Sequence, residues 1–257
     1  MSPKPSRNLL RLALAAAIAA VACYAPERRA VVWEASWSAA PIRRVEIEGH
    51  NGRIEIEAAD VDAVRVEARI RTHGDGRDPA KLVEAKLVGE TLHIREKKGR
   101  GSVSIFPFRF GSRTQIDFAV VVPERMEVVA ETVNGRLQIE GVGGPMELAS
   151  VNGGIQLTTP GAPVKATTVN GSIRAAFGDR FRGAQLRTVN GSIAVEVPKD
   201  ASLDLDIQQV NGSFRTDLPV VVESSGRSGT RGSLHGGQYP LRIDTVNGSV
   251  KLVQGSR

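Results

Sequence analysis

The chain repeats a pattern in which two short stretches of alternating apolar and polar residues flank an Asn-Gly pair. In one copy, "VKATTVNGSIRAA" at 164–176, apolar residues stand six and four positions before the asparagine, and three and five positions after it. Alternation with a period of two is typical of a strand with one buried face. Since Asn-Gly favours positive φ angles, the pattern predicts two half-buried strands joined at a tight corner.

Seven Asn-Gly pairs carry this pattern, and we predict that their asparagines form the corners of a structural repeat: Asn51, Asn134, Asn152, Asn170, Asn190, Asn211 and Asn247. From the second of these onward the spacings are 18, 18, 20, 21 and 36 residues. A nearly constant period is typical of proteins in which each unit buries its apolar face only by stacking on its neighbours. The last spacing is about twice the others, and we interpret "TRGSLHG" at 230–236 as a degenerate copy that fills it.

Two all-β architectures share this pattern. In an antiparallel β-meander or sandwich each Asn-Gly pair would form a two-residue hairpin turn, whereas in a β-solenoid it would form a corner. Stacking in register places like residues above one another, and stacked asparagines can then hydrogen-bond along the stack. The recurrence of the same residue types therefore favours a β-solenoid with coils of roughly 19 residues and at least six stacked coils.

An irregular insertion at about 57–123 interrupts the repeat. Within it, "DAVRVEARIRT" at 62–72 and "QIDFAVVVP" at 115–123 predict long strands, and "AKLVGETLHIRE" at 85–96 predicts a hairpin around positions 89–90. The pair Asp78 and Pro79 predicts one short helix that runs to about Lys86. Three phenylalanines in 97–113 are expected to form either an alternating strand or an exposed apolar patch: Phe106, Phe108 and Phe110.

The N-terminal residues 1–22 predict a lipoprotein-type signal peptide, because three basic residues precede or overlap an apolar run too short to span a bilayer. Cys23 directly follows the small residues "AAVA", so we expect it to carry lipid and tether the protein to a membrane. The alternative is an ordinary secretory signal, which would release a secreted or periplasmic soluble protein. Residues 23–40 are then a tether with a first short strand, and 41–253 the repeat domain.

The position before each asparagine is a valine in six copies: Val133, Val151, Val169, Val189, Val210 and Val246. Continuing the alternation points the preceding threonines inward along with the asparagines, and the valines outward. Because monomeric proteins seldom leave a long apolar stripe uncovered, either a bulge turns the valines into the core or another surface covers them. We favour the bulge.

Composition narrows the function classes. The formal net charge of +6 includes three charges in the predicted signal peptide, and basic and aromatic residues are not interleaved, so no nucleic-acid partner is expected. The single cysteine cannot form a disulfide within the chain. The four histidines fall in different units, so neither a metal site nor a cofactor is expected: His50, His73, His93 and His235.

Carbohydrate-active solenoids need clustered acids, bases and sugar-stacking aromatics, but only four aromatic residues follow position 131: Phe177, Phe181, Phe214 and Tyr239. Four Asn-Gly-Ser sequences are formal glycan acceptors, yet their asparagines already serve as corners. The chain is therefore expected to have no enzymatic activity. A polysaccharide-acting β-helix enzyme and a self-assembling structural protein are the alternatives.

The repeated "TVNGSI", together with "VEIEGHNGRIEIE" and "VVVPERMEVVAETVNG", resembles the bacterial putative-adhesin family of β-strand-repeat envelope proteins, a domain of unknown function. The resemblance covers roughly residues 30–253. It implies a right-handed β-solenoid at or outside the cell membrane. We therefore expect a membrane-tethered adhesion, binding or scaffold module whose partners are the membrane, through Cys23, and envelope polysaccharide or another envelope protein.

Overall fold

The computed structural model describes residues 21–22, 30–72, 78, 81–97, 114–179, 181–226 and 229–255. The elements bounded within these residues are all β-strands, which confirms the predicted all-β fold. In chain order they are β1 (Val21–Ala22), β2 (Ala30–Ser38), β3 (Arg44–Glu48), β4 (Ile54–Ala59), β5 (Ala63–Arg71), β6 (Val83–Val88), β7 (Thr91–Glu96), β8 (Gln115–Pro123), β9 (Glu127–Thr132), β10 (Leu137–Glu140), β11 (Met146–Ser150), β12 (Ile155–Thr158), β13 (Val164–Asn170), β14 (Ile173–Ala176), β15 (Ala184–Asn190), β16 (Ile193–Val197), β17 (Leu203–Asn211), β18 (Phe214–Thr216), β19 (Val221–Gly226), β20 (Gly229–Leu234), β21 (Tyr239–Asn247) and β22 (Val250–Gln254).

The strands form two mixed sheets. The first has the order β1-β2-β5-β8-β4-β10-β12-β14-β16-β22-β18, and the second has the order β19-β20-β17-β21-β15-β13-β11-β9-β3-β7-β6. At each Asn-Gly pair the strand before the asparagine lies in the second sheet and the strand after the glycine lies in the first. Every Asn-Gly pair is therefore a corner between sheets, and none is the turn of an antiparallel hairpin.

Equivalent strands of successive units pair in parallel and in register. Ile155 lies between Leu137 and Ile173 in the first sheet, and Leu148 lies between Ala130 and Ala166 in the second. This solenoid-like stacking of like residues is what the recurring sequence columns predict. It exists because each unit presents apolar side chains on one face only, and a single unit cannot cover that face.

The inward-facing side chains of both sheets form one hydrophobic cluster. In one unit Leu186 comes from the second sheet, Ile193 and Val195 come from the first, and all three are fully buried. Burying an aliphatic side chain of this size contributes about 1.5–3 kcal/mol relative to leaving it exposed. The cluster thus fixes which face of each strand points inward, and it leaves the corners at the surface.

The order of the units along the stack differs from their order in the chain. β21 pairs in parallel with β15 on one side and β17 on the other, and β22 lies in the same way between β16 and β18. The last unit of the sequence is therefore inserted before the unit that contains Asn211. Asn211 is thus the last corner of the stack, although Asn247 is the last corner in the chain.

The predicted degenerate copy at 230–236 is wrong, because these residues do not form a coil. β20 pairs antiparallel with β17 and with β19, so the wide spacing before Asn247 is filled by a hairpin. Three successive residues with positive φ angles then turn the chain into β21: His235, Gly236 and Gly237. The segment has no Asn-Gly pair, and its pairing with β17 and β19 makes it part of a hairpin and not a coil.

The insertion contains the strands that its pattern predicts. β5 and β8 pair antiparallel, and β6 and β7 form the hairpin around Gly89, whose φ is 61°. The predicted short helix is wrong for Val83 to Lys86, since these residues belong to β6. Their pairing with β7 outweighs the local capping signal.

Residues 79–80 and the three phenylalanines of 97–113 lie outside the described residues, as does Cys23. In the described part of the chain, no helix is long and apolar enough to cross a membrane.

Candidate functional site: the corner face

The corners of seven stacked units form one continuous surface in the described part of the chain, which we call the corner face. It consists of the seven predicted asparagines, the glycines that follow them and the residues that precede them. In stack order the asparagines are Asn51, Asn134, Asn152, Asn170, Asn190, Asn247 and Asn211. The sequence predicted each of these corners, although it did not predict their order.

The asparagine side chains form a hydrogen-bonded ladder. The Nδ2 of every asparagine after Asn51 donates to the Oδ1 of the asparagine before it in the stack, and these six successive bonds are 2.8–2.9 Å long. Asn190, for example, donates to Asn170 and accepts from Asn247. The predicted inward orientation is wrong for the six asparagines from Asn134 onward, which are exposed. The alternation ends at the corner, where two consecutive residues face solvent.

The glycines allow successive corners to approach closely. A Cβ atom at Gly171 would lie 2.1 Å from the carbonyl oxygen of Gly153, and one at Gly191 would lie 2.0 Å from that of Gly171. Only glycine fits at such a distance from a neighbouring backbone. Of the seven corner pairs, only Gly52 has a positive φ angle, so the positive φ angles predicted from Asn-Gly are wrong for the other six corners. The requirement for glycine comes from stacking instead, which the sequence argument, based on turn conformation alone, did not identify.

Hydroxyl groups beneath the corner face bind these glycine carbonyls. Thr168 and Thr188 are buried, and their Oγ1 atoms donate to the carbonyl oxygens of Gly153 and Gly171 at 2.9 Å. Ser150 and Thr245 donate in the same way to the carbonyl oxygens of Gly135 and Gly191 in neighbouring units, at 3.3 Å. The inward orientation of the threonines is confirmed. These four hydroxyls satisfy glycine carbonyls, whereas the Oγ1 of Thr132 is buried without a hydrogen-bond partner among the described residues.

The valines of the corner face point outward, so the favoured bulge is wrong. Five of them are 37–67% exposed: Val151, Val169, Val189, Val246 and Val210. Because neighbouring strands lie about 4.8 Å apart, these valines form an apolar row along the stack. Rows of this kind are a common mark of interaction sites.

Charged residues on the outer strand faces pair with their neighbours on adjacent strands. Lys165 contacts Glu147 at 2.6 Å, and this hydrogen bond, followed by the charge of Lys165, holds the pKa of Glu147 below its usual value. The carboxylate of Glu46 is 2.8 Å from Nδ1 of His93. Within the described residues, no group of three or more His, Cys, Asp or Glu side chains could hold a metal ion. Glu55 likewise pairs with Arg53 at 2.8 Å, so Glu46 and Glu55 both belong to ion pairs on partly exposed strand faces.

Residues 126–253, which contain six of the seven corners, match the model of a known protein family. The chain carries a Toastrack DUF4097 domain. This match confirms the resemblance inferred from the Val-Asn-Gly repeat. The Toastrack domain is a domain of unknown function, and no curated protein matches the sequence.

Solved structures similar to the chain include a putative cell adhesion protein from Clostridium sporogenes ATCC 15579, at 9% identity and a TM-score of 0.49, covering 86% of this chain and 99% of that one. A putative adhesin from Bacteroides fragilis NCTC 9343 is 12% identical, with a TM-score of 0.42, and covers 86% of this chain and 96% of that one. A putative lipid binding protein from Parabacteroides distasonis ATCC 8503 is 12% identical, with a TM-score of 0.32. The match covers 88% of this chain and 97% of that one. At these identities and scores the likeness has no bearing on the function of the Toastrack domain.

Proposed function

We propose that the protein is a non-enzymatic binding module of the cell envelope, and that its corner face binds another envelope component, a polysaccharide or a protein. The single observation that carries this proposal is the exposed valine row. A folded domain that leaves an apolar row uncovered has a surface suited to association.

The construction of the corner face supports a binding role. The asparagine ladder and the glycine contacts hold each valine on a backbone that is paired on both sides along most of the stack. A surface that is already ordered loses little conformational entropy when a partner binds. The face also repeats at a constant interval, which suits a partner that is itself extended or repetitive.

The location of the module follows from the N-terminal sequence. A lipid on Cys23 would anchor the protein at a membrane outside the cytoplasm, and the segment that leads to β2 would tether the repeat domain. The stack is proposed to be a right-handed solenoid, as the family resemblance implies. Mass spectrometry of the native protein tests the anchor, and a mature N-terminus at any residue other than Cys23 would refute it.

The binding role is tested with a triple variant that carries Val151→Thr, Val169→Thr and Val189→Thr. Threonine keeps the β-branched shape and removes apolar surface, so folding should be nearly intact. Val88→Thr is the matched control, because Val88 is 52% exposed but lies in the β6–β7 hairpin. Sedimentation with isolated envelopes should fall for the triple variant and stay unchanged for the control.

Equal sedimentation of the triple variant and the unmodified protein would contradict the proposal, as would an equal loss for the Val88 control. Envelopes treated with protease or with periodate then distinguish a protein partner from a polysaccharide. Circular dichroism and the melting temperature of each variant show that any loss of binding does not come from unfolding.

A further inference from the structure

We infer that the Asn211–Gly212 peptide is a site of spontaneous covalent modification, at which Asn211 loses ammonia and forms a succinimide in preference to the other six Asn-Gly pairs. The backbone nitrogen of Gly212 attacks Cγ of Asn211, a C–N bond forms, and the side-chain amide leaves as ammonia. Water then opens the ring to give aspartate or isoaspartate. The reaction needs only water, and asparagine is known as a thermolabile residue.

The seven pairs share the same dipeptide, so local sequence alone gives them similar reactivity. Attack requires the asparagine side chain to leave the ladder and the Asn-Gly peptide to rotate. In the folded protein, the relative rates of succinimide formation at the seven pairs therefore depend on how firmly each pair is held by its neighbours.

Internal corners are held from both sides. Asn170 donates one ladder hydrogen bond and accepts another, and the glycine backbone beside it touches glycines of two neighbouring units. Four of the glycine N–H groups also donate to an asparagine carbonyl of an adjacent unit, at 2.9–3.1 Å: Gly52, Gly171, Gly191 and Gly248. Such an N–H is less available to lose its proton and attack.

Asn211 is held from one side only. Its Nδ2 donates to Asn247, and no further asparagine donates to its own Oδ1 within the described residues. A Cβ atom at Gly212 would meet the carbonyl oxygen of Gly248 at 1.9 Å. On the other side, β20 pairs with β17 only as far as Gln208, and no repeat unit stacks there among the described residues. Gly212 is exposed, whereas the glycines of the other six pairs are half-buried. Its N–H makes no hydrogen bond in the described part of the chain, which is also true of Gly135 and Gly153, but those two glycines lie between stacked units.

The opposite end of the ladder is covered. The Asn51 side chain also has a single ladder bond. The backbone carbonyl of Asn51, however, accepts a hydrogen bond from the N–H of Ile116 in β8 at 2.8 Å. A Cβ atom at Gly52 would lie 2.0 Å from the carbonyl oxygen of Ile116. The Asn51 corner is therefore packed against another strand, and the end of the stack at Asn211 is the open one.

The experiment incubates the full folded protein at mildly alkaline pH and follows each Asn-Gly peptide by mass spectrometry. Internal pairs must give up an additional ladder hydrogen bond and the contact of a second unit, so we expect Asn211 to convert about tenfold faster or more. The same protein unfolded in urea is the control, and there the seven rates should become similar.

Conversion of Asn211 no faster than that of the other pairs in the folded protein would overturn the inference. Persistence of the same ranking in urea would also overturn it, because the preference would then come from local sequence. As a second readout, Asn211→Gln keeps an amide but lengthens the side chain, and it should remove the fast phase of ammonia release from the folded protein. An unchanged fast phase would place the reaction elsewhere.

Discussion

Replacing Asn190 by alanine tests whether the ladder stabilises the stack. The change removes two hydrogen bonds, one of 2.9 Å to Asn170 and one of 2.8 Å from Asn247. Each bond contributes about 0.5–1.5 kcal/mol net, and water can replace part of this because the amide is exposed. We therefore expect the free energy of unfolding to fall by about 1–2 kcal/mol, and the melting temperature by roughly 2–8 °C.

Asn211→Ala is the matched control, because Asn211 makes a single ladder bond at the end of the same ladder. It should cost about half as much as Asn190→Ala when both are measured by urea unfolding with circular dichroism. Because repeat proteins can unfold in blocks, hydrogen exchange at the two corners checks that the loss is local. The reasoning is refuted if both variants melt like the unmodified protein, or if the end position costs more than the internal one.

Three further predictions concern the packing below the ladder and the outer strand faces. Gly171→Ala places a Cβ 2.1 Å from a backbone oxygen, so it should lower the free energy of unfolding by more than about 4 kcal/mol or prevent folding. Gly226→Ala is the control, because its Cβ would meet no atom within 4 Å, and it should leave the melting temperature nearly unchanged. Thr188→Val leaves the carbonyl of Gly171 without its 2.9 Å partner and should lower stability in urea by about 1–2 kcal/mol. Lys165 lowers the pKa of Glu147 in the folded state, so the pair contributes stability at neutral pH that is lost as pH falls through that lowered pKa. Lys165→Met should reduce this acid sensitivity in an unfolding series across pH, and an unchanged pH profile would contradict the assignment.

The corner positions could be predicted because their signals are local. Alternation on either side of an Asn-Gly pair specifies two half-buried strands, and the recurrence of the same residues at Asn152, Asn170 and Asn190 indicates stacking in register. The inward threonines followed from the same alternation. The short helix was predicted from a capping signal at Asp78 and Pro79, and this local preference did not prevail where β6 pairs with β7.

The candidate site was predicted only in part. The valines and asparagines were identified as columns, but strict alternation cannot describe a corner, where the chain changes sheets and two consecutive residues face solvent. The need for glycine at Gly171 was attributed to its conformational freedom. Its closer cause is the carbonyl of the neighbouring unit, which becomes visible only when the units are stacked.

By itself the sequence determined the all-β class, the two strands of each unit and the positions of the corners, because residue periodicity is a local signal that acts over a few residues. The tertiary structure alone decided the order of the units, with the strands around Asn247 inserted before those around Asn211. Equivalent strands carry nearly the same inward residues, so the local pattern permits either order. The choice depends on which edges remain free and on where the β19–β20 hairpin pairs, and both are contacts between residues far apart in the chain.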